Sequence, residues 1–180
     1  MDASIQRCSF AVWTMLIIFG GLPGVGKTAI ARELARQLGA VYLHIDSIEQ
    51  AIRDCGVMNP PESGYCVAHA VAKDNLLLGR TVVADSVNPL RVTRDAWAEA
   101  ASLAGVGRFE VEIKCSSPRL HRQRLEARPA DIVGLRVSWE EVLSREYEPW
   151  NREHIVIDTA ATSVAEAVAE LRKAFVERAT

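Results

Sequence analysis

Apolar residues along the chain fall into short continuous runs that are separated by helical patterns. The first run, residues 15–20 (MLIIFG), holds no charged position and ends in glycine, which is typical of a central strand buried on both faces of a parallel sheet. Four more runs predict strands over Val41–Ile45, Thr81–Asp85, Phe109–Cys115 and His154–Asp158. Strands that alternate with helices in this way predict an α/β domain with a five-stranded parallel sheet.

The segments between these runs carry helix patterns and helix boundary signals. The apolar residues of Lys27–Leu38 share one face, and Gly39 follows as a stop signal. Ser138 and Glu141 have the spacing of a capping box. Helices are predicted over Lys27–Leu38, Ser47–Asp54, Tyr65–Leu78, Pro89–Ala104, Pro118–Arg128, Trp139–Tyr147 and Ser163–Arg178. The stretch 129–137 has no such pattern and predicts a loop.

Composition narrows the class of protein. The chain has 180 residues, of which 49% are hydrophobic and 24% charged, values that are ordinary for one globular domain and that exclude a disordered or collagen-like chain. No linker or internal repeat divides it, so we expect a single domain over residues 1–180. The net charge of -2 provides no basic field for gathering extended nucleic acid.

The amino-terminal stretch and the cysteines bear on localisation. Residues 10–20 are apolar but too short to span a bilayer, and they run directly into a glycine-rich motif. We interpret residues 1–14 as an N-terminal extension. The chain has no C-x-x-C pair and no zinc-ligand spacing among Cys8, Cys55, Cys66 and Cys115. We therefore expect reduced thiols, a cytoplasmic protein and no membrane partner, whereas the pattern indicates no particular oligomeric state.

A phosphate-binding motif joins the first predicted strand to the first predicted helix. Residues 21–28 (GLPGVGKT) match G-x-x-x-x-G-K-S/T in full. Glycines let backbone N–H groups close around phosphate oxygens, and the helix N-terminus adds positive potential. Lys27 is expected to reach the β- and γ-phosphates, and the Thr28 hydroxyl to ligate Mg²⁺. The expected nucleotide-binding residues are Gly21, Gly24, Val25, Gly26, Lys27, Thr28 and Ala29.

Two aspartates lie where strands end. Asp46 follows Val41–Ile45, and Asp85 ends Thr81–Asp85. In a parallel sheet the carboxyl ends of the strands face the ligand crevice. Asp46 is therefore a candidate to orient an acceptor hydroxyl and take its proton, and Asp85 to hold Mg²⁺ in a Walker-B-like position. Each aspartate also suits a structural role as a helix cap or turn residue.

Arginines after the fourth predicted strand form the next candidate group. Arg124 and Arg128 are four residues apart and share a helical face. Two guanidinium groups beside a loop suit charge neutralisation on a transferring phosphate. A solvated helix face, with Glu126 as a local partner, explains the same pattern. The four histidines are dispersed, and the sequence indicates no role for them.

Together these motifs resemble the small P-loop kinases. The quoted segments are GGLPGVGKT, HID, VVADSVN, RQRLEAR and VID, and the nearest pattern is similar to polynucleotide kinase, zeta toxin and the gluconate and adenylylsulfate kinases. The resemblance covers about residues 15–175. It implies a three-layer P-loop NTPase sandwich with sheet order 2-3-1-4-5, Asp46 as the acceptor-side base, and Arg124 and Arg128 as lid arginines. Loop 129–137 would be a short lid.

The leading hypothesis from these residues is a kinase that uses ATP and Mg²⁺ to phosphorylate a hydroxyl of a small molecule: a metabolite, a nucleoside-like compound or an antibiotic. We expect Tyr65, Asn88 and Arg91 to line the acceptor pocket beside Asp46, although Asn88 also suits a turn before Pro89. Glu49 stands where some relatives place a basic residue, which disfavours a phosphorylated acceptor. Two alternatives remain open: a regulatory nucleotide-binding protein and a nucleic-acid end kinase.

Overall fold

A computed structural model describes residues 14–56, 62–127 and 137–179. Helices and strands alternate as the hydrophobic pattern predicts. In chain order the elements are β1 (Met15–Gly20), α1 (Lys27–Leu38), β2 (Val41–His44), α2 (Ile45–Asp54), α3 (Ser63–Leu77), β3 (Val82–Asp85), α4 (Arg91–Leu103), β4 (Gly107–Lys114), α5 (Pro118–Ala127), α6 (Trp139–Ser144), β5 (Ile155–Asp158) and α7 (Val164–Ala179). Among these described elements no helix has the length and apolar character needed to cross a bilayer.

The sheet has the strand order β2-β3-β1-β4-β5, and each neighbouring pair is parallel. This confirms the α/β P-loop sandwich that the resemblance implied. The register places His44 of β2 and Phe19 of β1 on either side of Asp85 in β3. The carboxyl ends of three adjacent strands therefore meet at one edge of the sheet.

Helices cover both faces of the sheet and bury the two sets of alternating side chains. Ile17, Phe19 and Val83 pack with α1 and α7, whereas Leu16 and Ile18 pack with α3 and α4. Every residue of β1 is buried, because this central strand has a neighbour on each side and a helical layer on each face. The buried central strand β1 thus leads directly into the glycine-rich motif.

Some element boundaries differ from the sequence-based expectation, and tertiary contacts explain the differences. β2 ends at His44 because Ile45, only 1% exposed, turns into the first residue of α2 and packs under α3. α6 begins with the predicted Ser138–Glu141 capping box but ends at Ser144 rather than Tyr147. The chain becomes extended after Ser144, and the carbonyl groups of Glu148 and Pro149 then accept hydrogen bonds from Arg94.

Candidate active site

The loop between β1 and α1 has the backbone conformation of a phosphate cradle. Gly26 precedes α1 with φ 95°, a left-handed conformation that favours glycine. Gly21 has φ 141°, and a Cβ there would collide with the carbonyl oxygen of Ile113. The first N–H groups of α1 are therefore presented at the carboxyl edge of the sheet. All seven predicted nucleotide-binding residues lie on this connection or in the first turn of α1.

Lys27 points back over the sheet to Asp85. Its Nζ lies 3.7 Å from Asp85 Oδ1, and the side chains are 9% and 0% exposed respectively. Such a buried pair is costly to break, because removing either partner leaves an uncompensated charge. The structure therefore brings together the lysine predicted to bind phosphate and the carboxylate predicted to bind metal. Lys27 and Asp85 lie 58 positions apart in the sequence.

The two oxygens of the Asp85 carboxylate have different surroundings. Oδ2 accepts a hydrogen bond from the Tyr42 hydroxyl at 2.7 Å, whereas Oδ1 has no hydrogen-bond partner among the described residues although it is buried. Burial, followed by the negative charge of Asp85, raises the pKa of the Tyr42 hydroxyl, which therefore stays a donor. The oxygen without a hydrogen bond is the one that lies 3.7 Å from Lys27 Nζ.

These oxygens fit the chemistry of magnesium binding. Mg²⁺ takes oxygen ligands and is held in kinases by one or two protein groups together with substrate phosphates and water. Asp85 Oδ1 and the hydroxyl of Thr28 at the start of α1 are groups of this kind. No cluster of three or more His, Cys, Asp or Glu suited to a metal occurs in the described ranges. A divalent ion here would therefore depend on nucleotide phosphates.

Asp46 lies in the first turn of α2 instead of following a strand residue. His44 occupies the N-cap position, so the alternative that Asp46 caps this helix is wrong. The Asp46 side chain is 37% exposed, and its Oδ2 lies 3.8 Å from His44 Nε2. The same His44 nitrogen lies 3.8 Å from Asp85 Oδ2. An imidazole thus separates the candidate acceptor-side base from the candidate metal ligand.

Tyr65 and Asn88, two of the predicted acceptor-pocket residues, lie together beside the end of β3. Burial raises the pKa of the Tyr65 hydroxyl, and contacts with the Ser86 side chain and the Asn88 backbone oppose that rise. Asn88 is fully buried with φ 46°, and its Nδ2 donates to the carbonyl of Phe19 at 2.7 Å. The amide thus fastens the end of β1 to the loop after β3.

Arg91, the third predicted pocket residue, begins α4 and has an exposed side chain. Its backbone N–H donates to the Glu148 carboxylate. Arg91 is thus exposed at the start of α4, whereas Tyr65 and Asn88 are largely buried.

Arg124 is held in a way that the sequence did not indicate. Its guanidinium donates to Thr159 Oγ1 at 2.8 Å and to the Thr159 carbonyl at 3.1 Å. Thr159 Oγ1 in turn donates to the carbonyl of Val25, inside the phosphate loop, at 2.7 Å. Arg124 is thus committed to the β5–α7 connection and the phosphate loop, rather than free to face a transferring phosphate. Arg128 and loop positions 129–136 lie outside the described residues.

Sequence reasoning also missed two side chains that hold loops near the site: His121 contacts the phosphate loop, and Arg94 contacts the loop after β3. His121 Nε2 lies 2.7 Å from the carbonyl oxygen of Pro23, and its ring packs edge-on against Trp139. Arg94, 1% exposed, donates to the carbonyls of Asn88, Pro89, Glu148 and Pro149. These contacts join elements that are distant in sequence, and no local motif signals them.

A cavity of about 710 Å³ lies beside the phosphate loop and runs along β4 and β5. It touches Gly21 and is walled by Tyr147 and Trp150. Its lining includes the buried carboxylate of Glu112, which lies 2.8 Å from Lys114 Nζ and 3.3 Å from His154 Nε2. Most of the predicted site residues, including both aspartates, lie elsewhere.

Comparison with known families agrees with this geometry. The model of the AAA domain family AAA_33 matches residues 16–141, from β1 to α6. The chain belongs to this AAA domain family. The match includes the phosphate loop, both aspartates and Arg124. Together with the solved kinase structures described next, this match confirms the resemblance to small P-loop kinases at the level of the fold.

Solved structures, among them two kinases, share the fold of this AAA domain. The APS kinase CysC of Mycobacterium tuberculosis, solved with AMPPNP and APS, is 18% identical with a TM-score of 0.65, over 91% of this chain and 98% of that chain. A gluconokinase from Sinorhizobium meliloti is 17% identical with a TM-score of 0.62, over 93% and 99%. Chaetomium thermophilum Kti12 with ADP-AlF3 is 22% identical with a TM-score of 0.63, over 88% and 98%. These identities show a shared fold.

Curated relatives of this AAA domain are much longer proteins. The uncharacterized protein Rv2004c of Mycobacterium tuberculosis is 38% identical over an alignment that covers 36% of this chain and 15% of that protein. The uncharacterized protein Mb2027c of Mycobacterium bovis matches to the same extent. The chain therefore aligns with under a fifth of the length of these relatives.

Proposed function

We propose that this AAA domain is a cytoplasmic kinase that transfers the γ-phosphate of ATP to a hydroxyl group of a small molecule. The observation that carries the proposal is the pairing of Lys27 with a fully buried Asp85, whose oxygen nearest Lys27 accepts no hydrogen bond from the described residues. A carboxylate left incomplete beside a phosphate cradle is suited to a metal–nucleotide complex. The kinase structures that share the fold support the same class of reaction.

The phosphate loop and Lys27 would bind and orient the nucleotide. Backbone N–H groups of the loop and of the first turn of α1 would surround the phosphate oxygens, and Lys27 would exchange its contact with Asp85 for one with the β- and γ-phosphates. The sequence holds no N-K-x-D guanine motif, which favours ATP. Asp85 and Thr28 would hold a magnesium ion, which when bound offsets negative charge on the phosphates.

The chemistry asked of the protein is mainly positioning and charge stabilisation. Asp46 is half-exposed at the edge of the site, where it could orient an acceptor hydroxyl and accept its proton as transfer proceeds. Tyr65, Asn88 and Arg91 would contribute to the acceptor pocket. Of the two predicted lid arginines, Arg124 is held by Thr159, so we assign neutralisation of the moving phosphoryl group to Arg128 on the sequence pattern alone.

A transfer assay across acceptor classes tests the proposal. ADP release from MgATP is measured with a panel of sugars, polyols, nucleosides and hydroxyl-bearing antibiotics. A 5′-hydroxyl oligonucleotide and water alone are tested in the same way. The phosphorylated product is identified by mass spectrometry. We expect one class of small hydroxyl compound to be phosphorylated, and Lys27→Ala to abolish the product. Phosphorylation of the oligonucleotide alone would instead identify an end kinase.

A second candidate function is regulatory nucleotide binding without a small acceptor. Kti12 shares the fold over 88% of this chain and was solved with a nucleotide complex, ADP-AlF3, so the fold is compatible with nucleotide binding without a small acceptor. The two functions differ in what Asp46 must do. Tight MgATP binding with no product from any acceptor, and with no effect of Asp46→Asn, would support the regulatory function.

A further inference from the structure

Two carboxylates of α2 lie on the acceptor side of the candidate site. Asp46 and Glu49 are three residues apart, so they share a face of this helix. Asp46 is 37% exposed and Glu49 27%. Burial, followed by the negative charge of Asp46, raises the pKa of the Glu49 carboxyl. The two carboxylates are therefore close enough to act on one ligand, and they would repel an anionic one.

The cations near Glu49 leave its charge incompletely paired. Arg53 Nη1 lies 4.0 Å from Glu49 Oε2, beyond hydrogen-bond distance, and the guanidinium donates instead to Gln50 Oε1 at 3.0 and 3.2 Å. Burial and Asp46 raise the pKa of Glu49 by more than Arg53 and Arg145 together lower it. A further cation beside the two carboxylates would therefore be stabilised.

The first turn of α3 leaves room for the Glu49 side chain. Gly64 is buried there, and a Cβ at this position would lie 2.3 Å from Glu49 Cγ and 3.0 Å from Glu49 Oε1. The φ of Gly64 is not positive, so its backbone conformation does not call for glycine, a residue that is disfavoured within helices. The absence of a side chain at Gly64 instead lets Glu49 lie against α3.

A buried hydroxyl group lies beside the same carboxylates. Ser86 is 3% exposed, and its Oγ forms no hydrogen bond with the described residues. Burial raises the pKa of the Tyr65 hydroxyl, Glu49 and Asp46 add to this rise, and the adjoining Ser86 side chain opposes it. The Tyr65 hydroxyl thus lies near both carboxylates and near Ser86. Because buried polar groups are nearly always hydrogen-bonded, Ser86 Oγ is suited to bind a hydroxyl group of a ligand.

We propose that the acceptor is a small hydroxyl compound with a protonated amine, whose ammonium group is bound by Glu49 beside Asp46 and one of whose hydroxyl groups is bound by Ser86. This inference rests on the proposed function and narrows its acceptor to amino sugars and amino alcohols. An organic ammonium fits better than a divalent metal, because no group of three or more His, Cys, Asp or Glu suited to a metal occurs among the residues that the structure describes. An ammonium group has three N–H donors, which two carboxylates can share.

Matched acceptors test the amine without altering the protein. The sets are glucosamine with glucose and N-acetylglucosamine, scyllo-inosamine with scyllo-inositol, and ethanolamine with ethylene glycol. Transfer from MgATP is measured with the full chain, and binding of each compound in the presence of MgADP is measured by calorimetry. We expect at least one amine to exceed its neutral partner by about 10-fold or more in kcat/KM and in affinity. Equal or weaker use of the amine in every set overturns the inference.

A variant of α2 shows whether Glu49 provides this preference. Glu49→Gln keeps the size of the side chain and removes its charge. The KM for the preferred amine should rise by about 10- to 100-fold, whereas the KM for its neutral partner and the Kd for MgATP should change less than about twofold. Asp54→Asn, which removes a negative charge from an exposed position on the same helix, is the matched control. Equal changes for the amine and its neutral partner would overturn the role of Glu49.

Two further variants test the geometry of the site. Gly64→Ala keeps the charge of Glu49 but displaces its side chain, so it should reduce the preference for the amine as Glu49→Gln does, without lowering stability in urea. Ser86→Ala should weaken binding of the amine and of its neutral partner alike, by about 3- to 10-fold. An unchanged preference in Gly64→Ala, or unchanged binding in Ser86→Ala, would contradict the arrangement proposed here.

Binding without turnover separates this inference from the proposed function. If amines bind in the presence of MgADP and lose affinity in Glu49→Gln, but no acceptor is phosphorylated, the ammonium site stands and the proposed transfer fails. If neutral compounds are phosphorylated in preference to amines, the transfer stands and the ammonium site fails. If no compound binds or reacts, both fail.

Discussion

Arg124 donates two hydrogen bonds to Thr159, at 2.8 Å to its hydroxyl oxygen and at 3.1 Å to its carbonyl. The same hydroxyl donates to the carbonyl of Val25. An arginine on α5, the connection after β5 and the phosphate loop are thus one hydrogen-bonded unit. Because this unit connects α5 to the phosphate loop, we expect a change at Arg124 to affect nucleotide binding even if Arg124 does not contact phosphate.

Arg124→Ala and Thr159→Val should therefore weaken MgATP binding to a similar extent. Each removes partly buried hydrogen bonds that are worth about 1.5–3 kcal/mol when a charged group takes part. If that energy supports the nucleotide-binding form of the loop, affinity should fall by about 10- to 100-fold, as measured by calorimetric titration. Arg122→Ala is the matched control, because Arg122 lies exposed on the same helix and pairs with Glu126. If Arg124→Ala lowers the transfer rate but leaves MgATP affinity intact, Arg124 acts on the phosphoryl group as the resemblance implied.

Much of the fold and of the candidate site could be predicted from the sequence, because local patterns signal them. The strand β1, the phosphate loop and Asp85 at the end of β3 are each signalled by a contiguous run of residues. The contacts of His44, Thr159 and Arg94 could not be predicted in the same way. Their partners are set by strand register and by loops that meet only in the folded chain.

Asp46 shows where the local pattern misleads. An apolar run followed by aspartate predicts a strand that ends in a carboxylate, but Ile45 is already helical. Burial of Ile45 against α3 decides the boundary, and this tertiary contact leaves no local signal. The residue retains its place at the carboxyl edge of the sheet, although the element that carries it differs.

Lys27→Ala should lower MgATP affinity by about 10- to 100-fold or more, because a charge-assisted contact with phosphate is worth about 1.5–3 kcal/mol. Transfer should fall below detection. Lys173→Ala, at an exposed position on α7, is the control for the loss of one positive charge. Wild-type affinity and turnover in the Lys27 variant would show that the loop does not bind phosphate as proposed.

Arg94→Met should destabilise the fold by roughly 3 kcal/mol or more. The substitution removes this donor from the carbonyl groups of Asn88, Glu148 and Pro149, whereas the Pro89 carbonyl keeps the Glu148 N–H; each buried group left unpaired costs about 1–3 kcal/mol. Urea denaturation followed by circular dichroism measures the change. Arg91→Ala, at an exposed position three residues earlier, should change stability by about 0.5 kcal/mol or less. Similar values for the two variants would show that the buried guanidinium does not fasten the two segments.

The last prediction separates the two aspartates that His44 keeps apart. Asp85 is buried against Lys27, whereas Asp46 is 37% exposed on the acceptor side. Asp85→Asn should weaken the magnesium-dependent part of ATP binding, because a carboxylate ligand is replaced by a neutral amide. Asp46→Asn should leave MgATP binding nearly intact while transfer falls by about 100-fold or more, because only the orientation and deprotonation of the acceptor are lost.

Calorimetric titration with ATP, with and without Mg²⁺, measures the binding side of this comparison, and the acceptor assay measures transfer. Tyr42→Phe provides a further control: it removes one hydrogen bond to Asp85 without touching Asp46, so its effect should follow that of Asp85→Asn at a smaller size. Equal loss of MgATP binding in the two aspartate variants would contradict this division of roles. Since Asp46 does not cap α2, such a result could not be explained by loss of a helix cap and would place Asp46 in the nucleotide site instead.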